Sequence, residues 1–270
     1  MLKFKLQRKY LAIPYGIFLC LFVIIPMLLI VLYAFTIDDP VTGKLVFSFE
    51  NLTTFFSNSY NLHTFIISLA IGLANTVISI LIGYPIAYVL AKKELKFRGI
   101  VVLLFVMPMW INFVLRTAAT RDLLFSIGLS GGEHPYLATM IGMVYNYLPF
   151  TILPLYTTML KMDRSLIEAS MDLGANKVQT FFKTIIPITM PGIISAASMV
   201  FMPTMSSFVI SDVMGERQIS LIGNTIQAYF DQGLWNLGSF VALIMLVIIL
   251  GSMFTTRNVE KEDNVRGGLW

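Results

Sequence analysis

The sequence predicts an all-α membrane protein with six transmembrane helices, and three observations carry that prediction. The 270 residues are 57% hydrophobic and only 13% charged, against about 25% charged in soluble domains. Mean hydropathy is +0.79. Six apolar stretches stand out, at about 11–35, 63–91, 100–126, 136–160, 191–211 and 237–256, each near the roughly 20 residues that a helix needs to cross the hydrocarbon core. Lipid leaves a spanning segment no way to satisfy its backbone except a helix or a closed barrel. A soluble enzyme is thereby excluded. Six spans and their loops leave no room for a separate soluble domain, so 1–270 reads as one transmembrane domain.

Each span has its own argument. The first, Leu11 to Phe35, follows Lys3, Lys5, Arg8 and Lys9, but it is too long for a signal peptide and has no small-residue cleavage site. The single cysteine, Cys20, lies in this apolar run and supports neither an intramolecular disulfide nor a multi-cysteine metal site. Lys92, Lys93, Lys96 and Arg98 separate spans two and three, Lys161, Arg164, Lys177 and Lys183 separate spans four and five, and Arg257, Lys261 and Arg266 follow span six. Together with the N-terminal four, these place 15 of the 19 basic residues on one side. The positive-inside rule puts that side, and both termini, in the cytoplasm. The opposite loops carry Asp38, Asp39, Glu50, Glu133, Asp212, Glu216 and Asp231 against Lys44 and Arg217. A cationic solute is drawn to such a face.

The segment 161–190 is longer than a connection needs and has helical grammar of its own. Ser165 and Glu168 have the spacing of a capping box, and Leu166, Ile167, Ala169, Ser170 and Leu173 form one apolar or small face. Gly174 falls where a left-handed residue ends a helix. Val178, Phe181, Phe182 and Ile185 then repeat at helical spacing until Pro187. The segment reads as helix, glycine turn, helix.

Glu168-Ala169-Ser170, three residues, Gly174, nine residues, then Thr184-Ile185-Ile186-Pro187 resembles the cytoplasmic EAA loop of ABC importer permeases, written Glu-Ala-Ala, three residues, Gly, nine residues, Ile, any, Leu, Pro. Glu168, Ala169, Gly174 and Pro187 match, whereas Ser170, Thr184 and Ile186 depart from the strict pattern. Tyr84-Pro85-Ile86-Ala87-Tyr88, Pro108 to Asn112, Leu115-Arg116-Thr117, Asn146 to Phe150, Pro191-Gly192-Ile193, Ser211-Asp212 and Leu221 to Asn224 are similar to the permease of spermidine/putrescine importers. Ala118-Ala119-Thr120 departs from that family, where aromatic residues more often follow Arg-Thr.

The resemblance implies a type I ABC importer permease fold in a bacterial inner membrane. It also implies a second homologous permease, a cytoplasmic ATPase dimer that carries ATP and Mg, an extracytoplasmic binding protein, and a polyamine cargo. Coupling to the ATPase then falls to Glu168, Ala169, Ser170, Asp172, Gly174 and Pro187 in the loop 161–190. The solute pathway falls to Asp212, Trp110, Asn112, Asn146 and Tyr145. The sequence has no Gly-x-x-x-x-Gly-Lys-Ser/Thr, so the chain itself is not expected to hydrolyse ATP. No metal, cofactor or nucleic-acid partner is expected on it.

Polar residues inside the spans have two readings each. Asn75, Thr76 and Asn146 fall near mid-membrane at about 1.5 Å of rise per residue, where amides join helices or line a pathway. Arg116 and Arg121 read as snorkelling residues of span three. Trp110 is too deep for an interface anchor and suits a cation-facing surface. Pro203 is expected to kink span five and free carbonyls toward a cavity or a packing contact. Gly128-Leu129-Ser130-Gly131 matches the rhomboid protease motif, but the last span has no histidine to serve as base, so Ser130 reads as turn chemistry. Asn51-Leu52-Thr53 matches a glycosylation acceptor without meaning in a bacterial-looking chain. The alternatives to a polyamine importer are the same machine with a metal or oxyanion cargo, a rhomboid-like protease, and a stand-alone secondary transporter.

Overall fold

The architecture follows from where prolines, polar caps and small residues interrupt long apolar helices. The computed structural model describes residues 13–39, 43–92 and 97–267, with side chains to 253. The basic residues Lys3, Lys5, Arg8, Lys9, Lys93 and Lys96, and the side chains of Arg257, Lys261 and Arg266, lie outside the described residues.

The elements run as follows: α1 Ile13–Ala34, β1 Thr36–Asp38, β2 Leu45–Phe47, α2 Glu50–Ser57, α3 Ser59–Leu90 and α4 Arg98–Val106. They continue with α5 Phe113–Ser126, α6 Pro135–Lys161, α7 Ser165–Asp172 and α8 Lys177–Ile188. The last are α9 Met190–Ser206, α10 Phe208–Met214, α11 Ile222–Asp231 and α12 Trp235–Gly267. Among the described residues four helices are long and apolar enough to span a bilayer, and there are up to 6 such spans if each bent pair counts as one. Span three is broken: α4, prolonged by a 3₁₀ turn Met107–Trp110, meets α5 at 100°. The second bent pair is α8 with α9, at 65°.

Prolines account for the local irregularities. A proline has no N–H and crowds the turn before it. Pro26 follows a π turn at Cys20–Ile24, Pro187 follows another at Phe181–Ile185, and Pro108 lies inside the 3₁₀ turn. Helix α9 runs through Pro203 and ends at Ser206, and the Pro203 carbonyl accepts from the hydroxyls of Ser206 at 3.1 Å and Ser207 at 2.8 Å. The carbonyl that this proline leaves without its helical N–H is that of Met199.

The chain divides into two compact units, Met1–Leu62 with Thr225–Ile248, and His63–Asn224 with Ile249–Trp270. In the first, an antiparallel hairpin pairs Thr36 with Phe47 and Asp38 with Leu45, an element absent from the all-α expectation. Its base is fixed by Asn51 Nδ2, which donates to the carbonyls of Ala34 at 3.0 Å and Thr36 at 2.9 Å. Asn236 Nδ2 donates to the same Thr36 carbonyl at 2.8 Å. Phe35, Phe47, Phe49 and Phe240 pack around this point. Asn51 is therefore a buried structural residue.

In the second unit, α6 packs extensively along α9. Ile71, Leu124, Met143, Val200, Ile210 and Met214 make its main core. Tyr84, Ala87, Leu155, Met159 and Ala196 make a second cluster. Mid-span, Asn75 Nδ2 donates to Thr204 Oγ1 at 2.7 Å, so this amide joins α3 to α9. Thr76 bonds back to the Gly72 carbonyl at 2.7 Å within its own helix. Gly142 lets α6 approach α10, because a Cβ there would stand 2.7 Å from Met214 Cγ.

Gly142→Ala is expected to destabilise the protein by about 1–3 kcal/mol through overpacking. Combined with Met214→Ala it should lose less than the sum of the two single changes. Thermal unfolding of the detergent-solubilised variants reads both effects.

Candidate functional site

Two places gather the residues singled out from sequence: the loop 161–190 and the break in span three. In the loop, α7 begins at Ser165 with Arg164 at the N-cap and no side-chain cap bond. The expected Ser165–Glu168 capping box does not form. The physical reason is Asp163, whose Oδ1 accepts from the Ser165 backbone N–H at 3.0 Å. That backbone bond holds the Asp163 carboxyl below its ordinary range. The capping box lies on the next helix instead, where Asn176 Oδ1 accepts from Gln179 N at 2.9 Å and Gln179 Oε1 accepts from Asn176 N at 3.0 Å.

Gly174 ends α7 with φ of 88°. The Gly174 N–H donates to Met171 O at 2.9 Å and the Ala175 N–H to Ser170 O at 3.2 Å, the paired bonds of a Schellman turn. A Cβ at Gly174 would meet nothing within 4 Å. The demand for glycine is therefore the left-handed backbone alone. Ser170 and Thr184, two departures from the family pattern, meet each other: Thr184 Oγ1 donates to Ser170 Oγ at 3.1 Å, and Ser170 also bonds Thr180 at 3.3 Å. A hydroxyl knot ties the two helices where the pattern has alanine and isoleucine. Glu168, Ala169, Asp172 and Pro187 are exposed. So are the apolar Leu166, Leu173, Val178 and Phe182, with Leu173 90% exposed. Glu168 borders a cleft of about 490 Å³ with Lys92, Arg98 and Arg164.

At the break, both loose helix ends find partners. Asn112 Oδ1 accepts from the backbone N–H of Val114 at 2.9 Å and Leu115 at 3.3 Å, which caps α5. Arg116 Nη1 donates to the Pro108 carbonyl at 2.7 Å, which caps the 3₁₀ turn. Arg116 Nε donates to Asn146 Oδ1 at 2.8 Å, and the guanidinium lies 5.8 Å from the Tyr145 ring centroid. Asn146 is also bonded to Gly142 O at 2.8 Å and Thr117 Oγ1 at 3.4 Å. Arg116 does not snorkel. It is 7% exposed, and among the described residues no carboxylate lies within ion-pair distance of it. Arg121, by contrast, pairs with neighbouring Asp122 at 2.7 Å on the surface.

A cleft of about 470 Å³ at the break is lined by Met109, Trp110, Asn112, Arg116, Asn146 and Tyr147, among others. Trp110 is 79% exposed at its edge. The structure thus brings Trp110, Asn112 and Asn146 together, with Tyr145 against Arg116. Asp212 is elsewhere. It lies on α10 rather than at the start of a loop, half-buried, and its Oδ1 accepts from Asn224 Nδ2 at 2.6 Å. Asn224 Oδ1 in turn accepts from Ser211 Oγ at 2.9 Å and Leu221 N at 2.8 Å. Ser130 is a turn residue whose Oγ accepts from Glu133 N at 3.3 Å, and among the described residues no histidine side chain bonds it. Sequence reasoning missed Arg116 as a site residue. The available signal was an arginine one turn beyond an asparagine and a proline inside an apolar run.

Broken spans and an exposed two-helix loop describe a membrane-embedded transport subunit. Residues 79–262 match the family described as binding-protein-dependent transport system inner membrane component. The chain belongs to that family; it is a multi-pass inner-membrane permease component and not itself an enzyme. It is 33% identical to the spermidine/putrescine transport system permease protein PotB of Haemophilus influenzae, over 96% of this chain and 96% of that one. To the PotB of Escherichia coli K12 it is 37% identical, covering 87% and 90%. A crystal structure of a bacterial ABC transporter that imports alginate shares the fold, with a TM-score of 0.64, 17% identity, and 93% and 95% coverage. A second alginate transporter structure gives a TM-score of 0.69 at 15% identity, with 93% and 94% coverage.

Ser170→Ala alone strands the hydroxyls of Thr184 and buried Thr180, whereas Ser170→Ala with Thr184→Ile and Thr180→Val removes the whole knot. Leaving a polar group unpaired costs about 1–3 kcal/mol and removing every partner is nearly neutral. The triple variant is therefore expected to unfold thermally closer to wild type than the single variant does.

Proposed function

We propose that this chain is one of two permease subunits of an ATP-driven importer whose cargo is a polyamine, with spermidine and putrescine as the class. The observation that carries the cargo is likeness along nearly the whole chain to permeases named for spermidine/putrescine transport. The loop 161–190 supports the machine. Its two helices are held by a Schellman turn and a hydroxyl knot, so they move as one body, and Leu166, Leu173, Val178 and Phe182 are exposed apolar side chains among the described residues. A cytoplasmic ATPase dimer covers these side chains, and Glu168, Ala169, Ser170, Asp172, Gly174 and Pro187 couple its closure to the spans. A binding protein delivers cargo on the opposite side.

For the pathway, Trp110 supplies an exposed π face for an ammonium group, while Tyr145 carries the Arg116 guanidinium over its ring. Asn112 and Asn146 hold the break rather than the cargo, since their oxygens cap α5 and Arg116. Asp212 supplies a carboxylate at the far end, oriented by Asn224. A second reading, an oxyanion cargo, is favoured by one observation, the buried guanidinium of Arg116. Uptake of labelled spermidine by the complete transporter with its binding protein decides between them. Polyamine uptake that excess sulfate leaves unchanged is expected, and competition by sulfate with no spermidine uptake overturns the cargo reading.

Gly174→Asn should keep transport, because asparagine tolerates the left-handed region, whereas Gly174→Val should abolish it at normal expression. Glu168→Gln separates charge from shape at the loop. Loss of ATPase-driven uptake in Glu168→Gln assigns the carboxylate to the ATPase contact, and wild-type uptake in that variant removes Glu168 from coupling.

Asp212→Asn is expected to lower spermidine uptake about tenfold while basal ATP hydrolysis is spared, the scale of one lost ion contact. Uptake measured with binding protein in excess checks it.

A further inference from the structure

The buried guanidinium at the break is anomalous for a cation importer, and the anomaly points to selection. A guanidinium has five donor hydrogens in a fixed fork. Two of the bonds it makes are to Asn146 and Pro108. Among the described residues its charge, 7% exposed, meets neutral groups: two oxygens and the face of Tyr145. Intramembrane arginines ordinarily pair with an acid or face a water-filled path. Here the charge borders a cleft whose lining is mostly apolar, with Met109, Trp110 and Phe150, and also holds the amides of Asn112 and Asn146.

We infer that Arg116 is a specificity-determining residue: its fixed charge makes the cleft accept the methylene spacer of a polyamine and reject any bare cation. The inference rests on the polyamine reading. An ammonium centred in the cleft would face the guanidinium at short range in a medium of low dielectric, where like charges repel strongly. A methylene chain feels no such repulsion and gains apolar contact with Met109, Trp110 and Phe150. A cargo with separated charges satisfies both demands by resting its ammonium groups on either side, one of them at the exposed face of Trp110. Sodium, potassium and protons have no spacer to place there. Fixed positive charge excludes small cations in other pores by the same physics. The hydrogen bonds to Asn146 and Pro108 keep the charge from swinging out of the way, and they tie it to α6 and to the 3₁₀ turn of the broken span.

The test uses the complete transporter with its binding protein in proteoliposomes. Arg116→Gln keeps an amide donor for Pro108 but removes the charge, and Arg116→Lys keeps the charge but loses the fork. Arg116→Gln is expected to raise potassium flux during turnover about tenfold or more. It should also lower both KM and kcat for spermidine, because an ammonium now settles in the cleft. Arg116→Lys should retain potassium exclusion even where its spermidine kcat falls. The inference is overturned if Arg116→Gln transports spermidine with wild-type KM and kcat and no added potassium flux. It is equally overturned if Arg116→Lys leaks as Arg116→Gln does, which would make the hydrogen bonds the whole role. Absence of spermidine uptake by the wild-type transporter instead removes the polyamine reading itself.

Discussion

Hydrocarbon offers no hydrogen bonds, so every interruption of a spanning helix has to bring its own polar partner. The rest of the structure depends on this constraint. An unsatisfied backbone group in lipid costs several kcal/mol, and this chain interrupts its apolar helices repeatedly. At the break in span three, Asn112 receives the N–H groups of α5 and Arg116 takes the carbonyl of Pro108. Between α8 and α9, Thr189 bonds the Ile185 carbonyl at 2.8 Å and the Tyr84 hydroxyl at 2.8 Å. At the end of α9, Ser206 and Ser207 share the Pro203 carbonyl, and Ser207 also meets the Tyr147 hydroxyl. Each break is thus a built feature held by a named side chain.

The same constraint divides the polar residues into two kinds. Asn75, Asn146 and Thr204 are spent within the protein, since each finds its partner on a neighbouring helix or its own backbone. Trp110 and Tyr145 keep exposed faces, and Arg116 keeps a full charge beside a cleft. A transport subunit needs both kinds. Rigid polar joints hold the spans in register, and a few unsatisfied groups remain for whatever passes. In the loop 161–190 the division is similar, with the Ser170–Thr184 knot and the Gly174 turn fixing the helices while the apolar face stays open.

Much of this was legible from residue order. Hydropathy located the four unbroken spans to within a few residues, because the length of an apolar run is a direct demand of bilayer thickness, but it showed neither the 100° break in span three nor the end of α9 at Ser206. Gly174 was legible because a helix that ends sharply needs a left-handed residue, and the spacing around it identified the loop. The capping box was misplaced because two candidates, Ser165 with Glu168 and Asn176 with Gln179, satisfy the same pattern, and only the backbone of Asp163 to Ser165 decides which forms. The hairpin Thr36–Phe47 was missed because its short strands carry no periodic signal apart from the Asn51 and Asn236 amides that reach it from elsewhere in the chain.

Sequence by itself determined that this is a helical membrane protein with a two-helix loop after its fourth span, since composition, run length and glycine position each follow from local physics. Only the tertiary structure decided what the polar residues within the spans do. Arg116 reads as a snorkelling surface residue until α6 is packed against α5 and Asn146 arrives at its Nε. Asp212 reads as a free acid until Asn224 is folded back onto it. A side chain's charge is written in the sequence, but its partner comes from a distant position that only the packing of helices supplies.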